Sequence, residues 1–223
     1  PNAVHGDHLL GTCEQAALRA ARVLATETGT VTAVTVGRAR REDKAVEMAL
    51  RSVADAAIRV SDSGADRLDF LGTARVLAAV IQEADSCDAV VCGDRSEDML
   101  SGAVGPAVAE LLGLPHLCGI RGLAYDDETL VATTRSLRKI HRFHVELPAV
   151  LCIREFPGEL PIDSREAGPI TAKNFRDLGI KPAELIPRTR IRGAVSAVRP
   201  GNNATLLSTP EELIDRLVED HLL

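Results

Sequence analysis

Short aliphatic runs alternate along this chain with segments whose apolar residues recur at helical spacing, and no other feature constrains its fold as strongly. Val31 to Val36, Ala57 to Val60 and Ala89 to Cys92 read as buried strands. A helix is predicted from Thr12, where Thr12-Cys13-Glu14-Gln15 can form a capping box ahead of an alanine-rich run ending near Thr28-Gly29. A second runs from Arg41 to Ala54, with Ala45, Met48 and Ala49 on one face, and a third starts at Asp69 with Leu71, Ala74, Leu77, Ala78 and Ile81. Strands alternating with helices build a mostly parallel sheet with helices on both faces, an α/β fold. Such a sheet usually opens with a strand, and Pro1 to Leu10 supplies none, so further residues are expected before Pro1 in the native protein.

Past Pro115 the pattern changes. Leu130 to Thr134 and Ile140 to Val145 read as longer strands in a hairpin-like section with a turn at Asp126-Asp127, and Ala149 to Ile153 reads as a return to a central strand. After Phe156, proline and glycine divide the chain so often that it reads as an extended arm and not a core. The arm ends in a well-marked helix: Thr209 as N-cap, Pro210 at the first helical position, Glu212 closing a capping box, then Leu213, Ile214, Leu217 and Val218 as an apolar stripe. The expected organisation is a nucleotide-binding domain over 1–155, followed over 156–223 by a loop, an arm and a terminal helix that contact a partner.

Composition narrows the functions open to such a chain. Its 223 residues suffice for one large α/β domain, whose core must be aliphatic because Trp is absent and only four Phe and one Tyr occur. So few stacking platforms, on a chain of formal charge -6, argue against nucleic acid as a ligand. No apolar run approaches the roughly 20 residues that span a bilayer, and no signal-like segment opens the chain, so the cytoplasm is the expected compartment. The five cysteines are scattered, form no C-x-x-C pair and read as small buried hydrophobes. His141 and His144 fall on opposite faces of one strand and cannot jointly hold a metal there, and no nucleophile–base constellation can be defended.

The stretch that carries chemistry runs from Ala89 to Pro106, a strand entering a Gly- and Ser-bearing loop that leads into a helix. That arrangement presents unpaired backbone N–H groups to an anion, and phosphate is its natural guest. Gly102 and Gly105 permit close backbone approach, Ser96 and Ser101 offer hydroxyls, and Asp98 suits ribose hydroxyls or loop N–H groups better than a phosphate. An alternative is that Ser101 merely caps the helix while Asp98 shapes the turn. There is neither a G-x-G-x-x-G motif nor a Walker lysine motif.

The run Gly93-x-x-Ser96-x-Asp98 to Val104-Gly105, with Leu111-Leu112-Gly113-Leu114-Pro115, resembles the adenine-nucleotide loop of electron transfer flavoprotein β subunits, including their nitrogen-fixation and carnitine-pathway relatives. Glu47 to Leu50 with Ala54 to Val60, and Glu146 to Ile153, resemble two further segments of that family, and the likeness runs in order from about Thr12 to Lys173. The resemblance implies an α/β domain of the adenine nucleotide α-hydrolase-like type that binds AMP in many members, or a second FAD in electron-bifurcating ones that use NADH. It implies pairing with an α subunit carrying the redox FAD, and no catalytic residues in this chain. By position Val36, Gly37, Ser96, Asp98, Ser101, Gly102, Ala103, Val104 and Gly105 would hold the nucleotide. Phe156 to Ala172 would be the loop that grips a dehydrogenase or quinone reductase, with Ile162 as its aliphatic anchor beside Leu160 and Pro161. The family commonly has Gln where Ala103 stands, and its N-P-x-D segment is not recognisable in Gly6 to Leu10. A stand-alone module of the universal-stress type would share the domain architecture, and the tail from Pro157 to Leu223 counts against it.

Overall fold

The computed structural model describes residues 10–25, 29–37, 43–97, 99–161, 164–189, 207 and 209–220. In chain order the elements are α1 (Thr12–Ala25), β1 (Thr32–Gly37), α2 (Asp43–Ser52), β2 (Ala56–Ser61), α3 (Phe70–Gln82), β3 (Ala89–Gly93), α4 (Val104–Leu112), β4 (His116–Asp126), β5 (Thr129–Ser136), β6 (Lys139–Val145), β7 (Ala149–Ile153), β8 (Ile170–Lys173) and α5 (Pro210–Glu219). The strands form two sheets, β1-β2-β8, wholly parallel, and β3-β7-β4-β5-β6, in which β3, β7 and β4 are parallel and β4, β5 and β6 antiparallel. The α/β fold with helices on both faces is therefore as expected, built as two sheets instead of one.

Side-chain alternation explains the layers. On β7, Ala149, Leu151 and Ile153 pack with Ala16, Ala17 and Ala20 of α1, while Val150 and Cys152 pack with Val108 and Ala109 of α4. All five residues are buried, as a strand roofed on both faces must be. The smaller sheet is covered in the same manner: Ala33 and Ala57 face α2 and Leu18 and Ala21 of α1, whereas Val34, Val36 and Val60 face Val76 and Val80 of α3. Thus α1 and α3, on opposite faces, each pack against both sheets, and among the described residues β1 and β3 stand at the sheet edges without pairing with each other.

Three features depart from the sequence reading. β4 is an eleven-residue strand where none was expected; its two glycines and its register irregularity between Leu117 and Ile120 hide the pattern. The residues after Phe156 are not all arm. Leu160 is buried against α2, β8 adds a third strand beside β2, and Phe175 and Leu185 complete the core below α3. Prolines and glycines there shape a close return to the domain, since a side chain on Gly168 would lie 2.1 Å from the Asp55 carbonyl. Finally, the compact unit runs through Arg190, and Ile191 onward forms a second unit. In that unit Thr209 caps α5 by accepting from the Glu212 N–H at 3.2 Å, with Leu213, Ile214 and Val218 exposed along it.

Candidate functional site

At the carboxyl end of β3 the chain meets α1 directly: a Cβ on Gly93 would lie 3.1 Å from the Cys13 Cβ and 3.2 Å from its backbone carbon. A glycine here lets the first turn of α1 approach that closely without either element giving way. Next comes Asp94, whose N–H donates to the Ile153 carbonyl at 2.8 Å and so prolongs the ladder with β7. Its carboxylate, mostly buried, accepts from the Gly119 N–H at 2.8 Å and from Arg154 Nη1 at 3.1 Å, with Arg95 Nε at 3.8 Å. One carboxylate thereby ties the residues just past β3 and β7 to the irregular stretch of β4 and fixes two guanidinium groups at the same rim.

The loop that follows is tightly wound. The Leu100 N–H donates to the Ser96 carbonyl at 3.1 Å, and both Leu100 (φ 52°) and Gly102 (φ 61°) are left-handed. At Gly102 a Cβ would also lie 2.9 Å from the Asp94 carbonyl, so this glycine is required on two counts. The cap residue of α4 is Ala103, which has no side-chain group to satisfy the helix start. Ser101, the alternative cap, accepts from the Ala103 N–H at 3.5 Å, a long contact. The N–H groups of Val104 and Gly105 therefore begin α4 without intrahelical partners, at the positive end of its dipole. Glu97 is turned away: its carboxylate accepts from the Thr12 N–H at 2.9 Å and caps α1.

Beside this loop opens a cleft of about 340 Å³ lined by Thr12, Cys13, Ala16, Arg19, Arg95, Arg154, Glu155 and Phe156, a volume within the range of small-molecule sites. Arg19 Nη2 donates to the Phe156 carbonyl at 3.0 Å, while its buried Nε has no hydrogen-bond partner among the described residues. The Glu97 carboxylate already occupies the start of α1, and Asp94 holds Arg95 and Arg154, so what the cleft offers an anion is the outer edges of these guanidinium groups and the orphaned Arg19 Nε. Among the described residues no cluster of His, Cys, Asp and Glu is arranged to hold a metal ion.

The model of the electron transfer flavoprotein domain matches residues 3–177, most of the chain. Electron transfer flavoprotein subunits β of Mycobacterium tuberculosis are 27% identical over 163 residues, 70% of this chain and 61% of theirs. The chain belongs to the electron transfer flavoprotein β family. The subunit β of Mycobacterium leprae is 26% identical over 183 residues, 79% of this chain and 68% of its own, and that of Methylophilus methylotrophus 30% over 154 residues, 65% and 58%. The chain thus spans about three fifths of the length of the Mycobacterium tuberculosis relatives.

Within this member of the electron transfer flavoprotein β family the expected nucleotide residues occupy two strand ends. Val36, half-buried, and Gly37, buried, close β1 in the smaller sheet; Ser96 and Ser101 are exposed, and Gly102, Ala103 and Val104 partly so, beyond β3 in the larger one. Gly105 faces inward, where an added Cβ would lie 2.4 Å from Cys152 Sγ and 2.9 Å from Cys92 Sγ. Asp98 and Ile162 lie outside the described residues. Of the loop residues expected to meet a partner, Leu160 is buried and Pro161 exposed. None of these residues lines the 340 Å³ cleft. Its Arg19, Arg95 and Arg154, and the Asp94 that positions two of them, were missed; the available signal was a charged residue immediately after each wholly apolar run, Asp94 after Ala89–Gly93 and Arg154 after Ala149–Ile153.

Proposed function

We infer that this chain is the β subunit of an electron transfer flavoprotein, binding the adenine nucleotide AMP at the carboxyl ends of β1 and β3 and supporting an α subunit that carries FAD. The observation that carries this reading is the start of α4, where the cap residue Ala103 offers no side-chain acceptor beyond a left-handed Gly102. The Val104 and Gly105 N–H groups would take the phosphate, with Ser96 and Ser101 beside it, while Val36, Gly37 and Asp98 would face the nucleoside. Arg95 and Arg154, held by Asp94, add a positive potential at the same rim. The FAD, when bound in the complex, supplies the electron-carrying chemistry; the residues of this chain bind and orient. Pro161 and Ile162, on a loop anchored by buried Leu160, would meet a flavin-dependent dehydrogenase or quinone reductase. Among the described residues no helix is long and apolar enough to cross a membrane; the cytoplasm is the compartment we assign.

The test is co-expression with an α-type flavoprotein gene, followed by identification of the small molecules released when the purified complex is denatured. A 1:1 complex yielding AMP and FAD is expected. FAD alone, at two per complex, would replace AMP by a second flavin, and a β chain that stays monomeric beside every α candidate would defeat the reading. Ser101→Glu, which sets a negative charge before the start of α4, should cut nucleotide content about tenfold; unchanged content would move the phosphate elsewhere.

A further inference from the structure

β5 and β6 form an antiparallel ribbon whose far half escapes both helical layers. Their pairing continues to Ser136 opposite Lys139, leaving Leu137 and Arg138 as a two-residue turn. Leu130, Ala132 and Val145, nearer the sheet, belong to the core with α1, but residues 135–144 are all exposed. β6 is also the last strand of its sheet.

This half of the ribbon has an unusual composition. From Thr129 to Val145 there is no Asp or Glu, whereas Arg135, Arg138, Lys139 and Arg142 are all cationic. The ribbon carries +4 on a chain of -6, leaving -10 for the remainder. No ion pair satisfies these four cations among the described residues. Interleaved with them are Leu137, 94% exposed, Ile140, 69% exposed, and Phe143, 41% exposed, whose ring stacks beside His141. Leu137 sits at φ 52°, in a turn position that normally selects Gly, Asn or Asp. Charges alone would be explained as protection of an edge strand against aggregation. Protection does not explain a strained, solvent-facing Leu at the tip, nor an exposed Ile and Phe on the strand itself.

We propose that the β5–β6 ribbon is a docking element for an acidic partner protein that adds a strand to the outer edge of β6. The four cations select the acidic surface, Ile140 on one face of β6 and Phe143 on the other supply apolar contacts to either side of the added strand with Leu137 at the tip, and the free N–H and C=O groups of β6 supply the backbone hydrogen bonds. Those backbone groups favour protein over lipid, because a bilayer offers them no partners. The acidic remainder of the chain would also be repelled by an anionic membrane. This surface is independent of the nucleotide reading.

The full chain, labelled for NMR, is titrated with a synthetic peptide of alternating Glu and Val, with its Lys and Val counterpart, and with vesicles of phosphatidylcholine and phosphatidylglycerol. Shifts confined to residues 135–145 and seen only with the Glu peptide are expected, about tenfold weaker in Arg138→Glu/Arg142→Glu at unchanged melting temperature. Arg138→Gln/Arg142→Gln should give an intermediate loss, and stands in should the charge reversal disturb folding. Leu137→Gly, which relieves the turn, should weaken binding without loss of stability. Equal shifts with both peptides, no shifts, binding to vesicles in place of peptide, or a homodimer abolished by the Arg138→Glu/Arg142→Glu variant would each overturn the proposal.

Discussion

The carboxylate of Asp55 and the guanidinium of Arg165 lie 2.7 Å apart, and through them the second half of the expected partner loop is fastened to the start of β2. The same carboxylate accepts from the Val31 N–H at 2.8 Å, ahead of β1, and has Arg22 of α1 at 3.7 Å. Arg165 also donates to the Val53 carbonyl at 2.8 Å. One acid thus joins α1, the residues leading into β1 and β2, and the returning segment. Asp55→Ala should cost about 1–2 kcal/mol, since it leaves the Val31 N–H unpaired and Arg165 with the Val53 carbonyl alone, and Arg165→Ala about 1 kcal/mol. Urea unfolding checks this, and equal midpoints for parent and both variants would make the anchor inconsequential.

Acid should loosen two anchors together. Burial raises the Asp55 pKa, but the Val31 N–H and Arg165 outweigh it and hold the carboxyl below its ordinary value. At Asp69, burial is likewise outweighed, by N–H groups of Gly72, Thr189 and Arg188, the first capping α3 and the others tethering the segment after Pro187. A depressed carboxylate pKa gives stability that is present above the unfolded value and lost as pH falls through the folded one. Unfolding free energy should therefore fall on acidification below about pH 4, less steeply in Asp69→Asn and Asp55→Asn. Parallel pH profiles for the variants and the parent would refute the assignment.

Gly105 tests how closely α4 must approach the sheet. Gly105→Ala drives a methyl toward Cys152 Sγ and Cys92 Sγ and should destabilise by about 1–3 kcal/mol. Adding Cys152→Ala removes the nearer sulfur and should recover part of that loss, a coupling read from a double-mutant cycle. Strictly additive losses would place the strain elsewhere.

Thiol reactivity should separate by position. The Cys152 and Cys118 thiols lie side by side under α4: the Cys152 contact and burial push Cys118 up, while for Cys152 the Cys118 contact lowers the pKa but Cys92 and burial together outweigh it and push the thiol up. Both should resist alkylation until the protein unfolds. Exposed Cys87 should react in the native state, though slowly, because partial burial and Asp88 raise its pKa too, so its rate should climb with pH. Cys87→Ser should abolish that native-state phase; its persistence would identify another thiol.

What could be read in the sequence follows from where each signal lies. Ala149–Ile153 was legible because a strand covered on both faces must be apolar throughout. His116–Asp126 was not, because Gly119, Arg121 and Gly122 interrupt a strand that is only partly covered. Ile170–Lys173 was hidden by brevity and exposure; its place beside β2 comes from contacts such as the Ala57 N–H on the Pro169 carbonyl, more than a hundred residues apart in the chain. At the candidate site the glycines and serines of a strand-to-helix turn are local and were visible. The Asp94–Arg154 pair spans 60 residues, and no local pattern announces it.

The placement of α1 and α3 has a mechanical consequence. Each helix lays aliphatic side chains on strands of both sheets, α1 over one face and α3 over the other. Packing of this kind is close and resists compression, so it passes a displacement on to its neighbours. A shift of either helix would therefore be shared by β1 and β3, the strands that lead to Val36–Gly37 and to Ser96–Gly105.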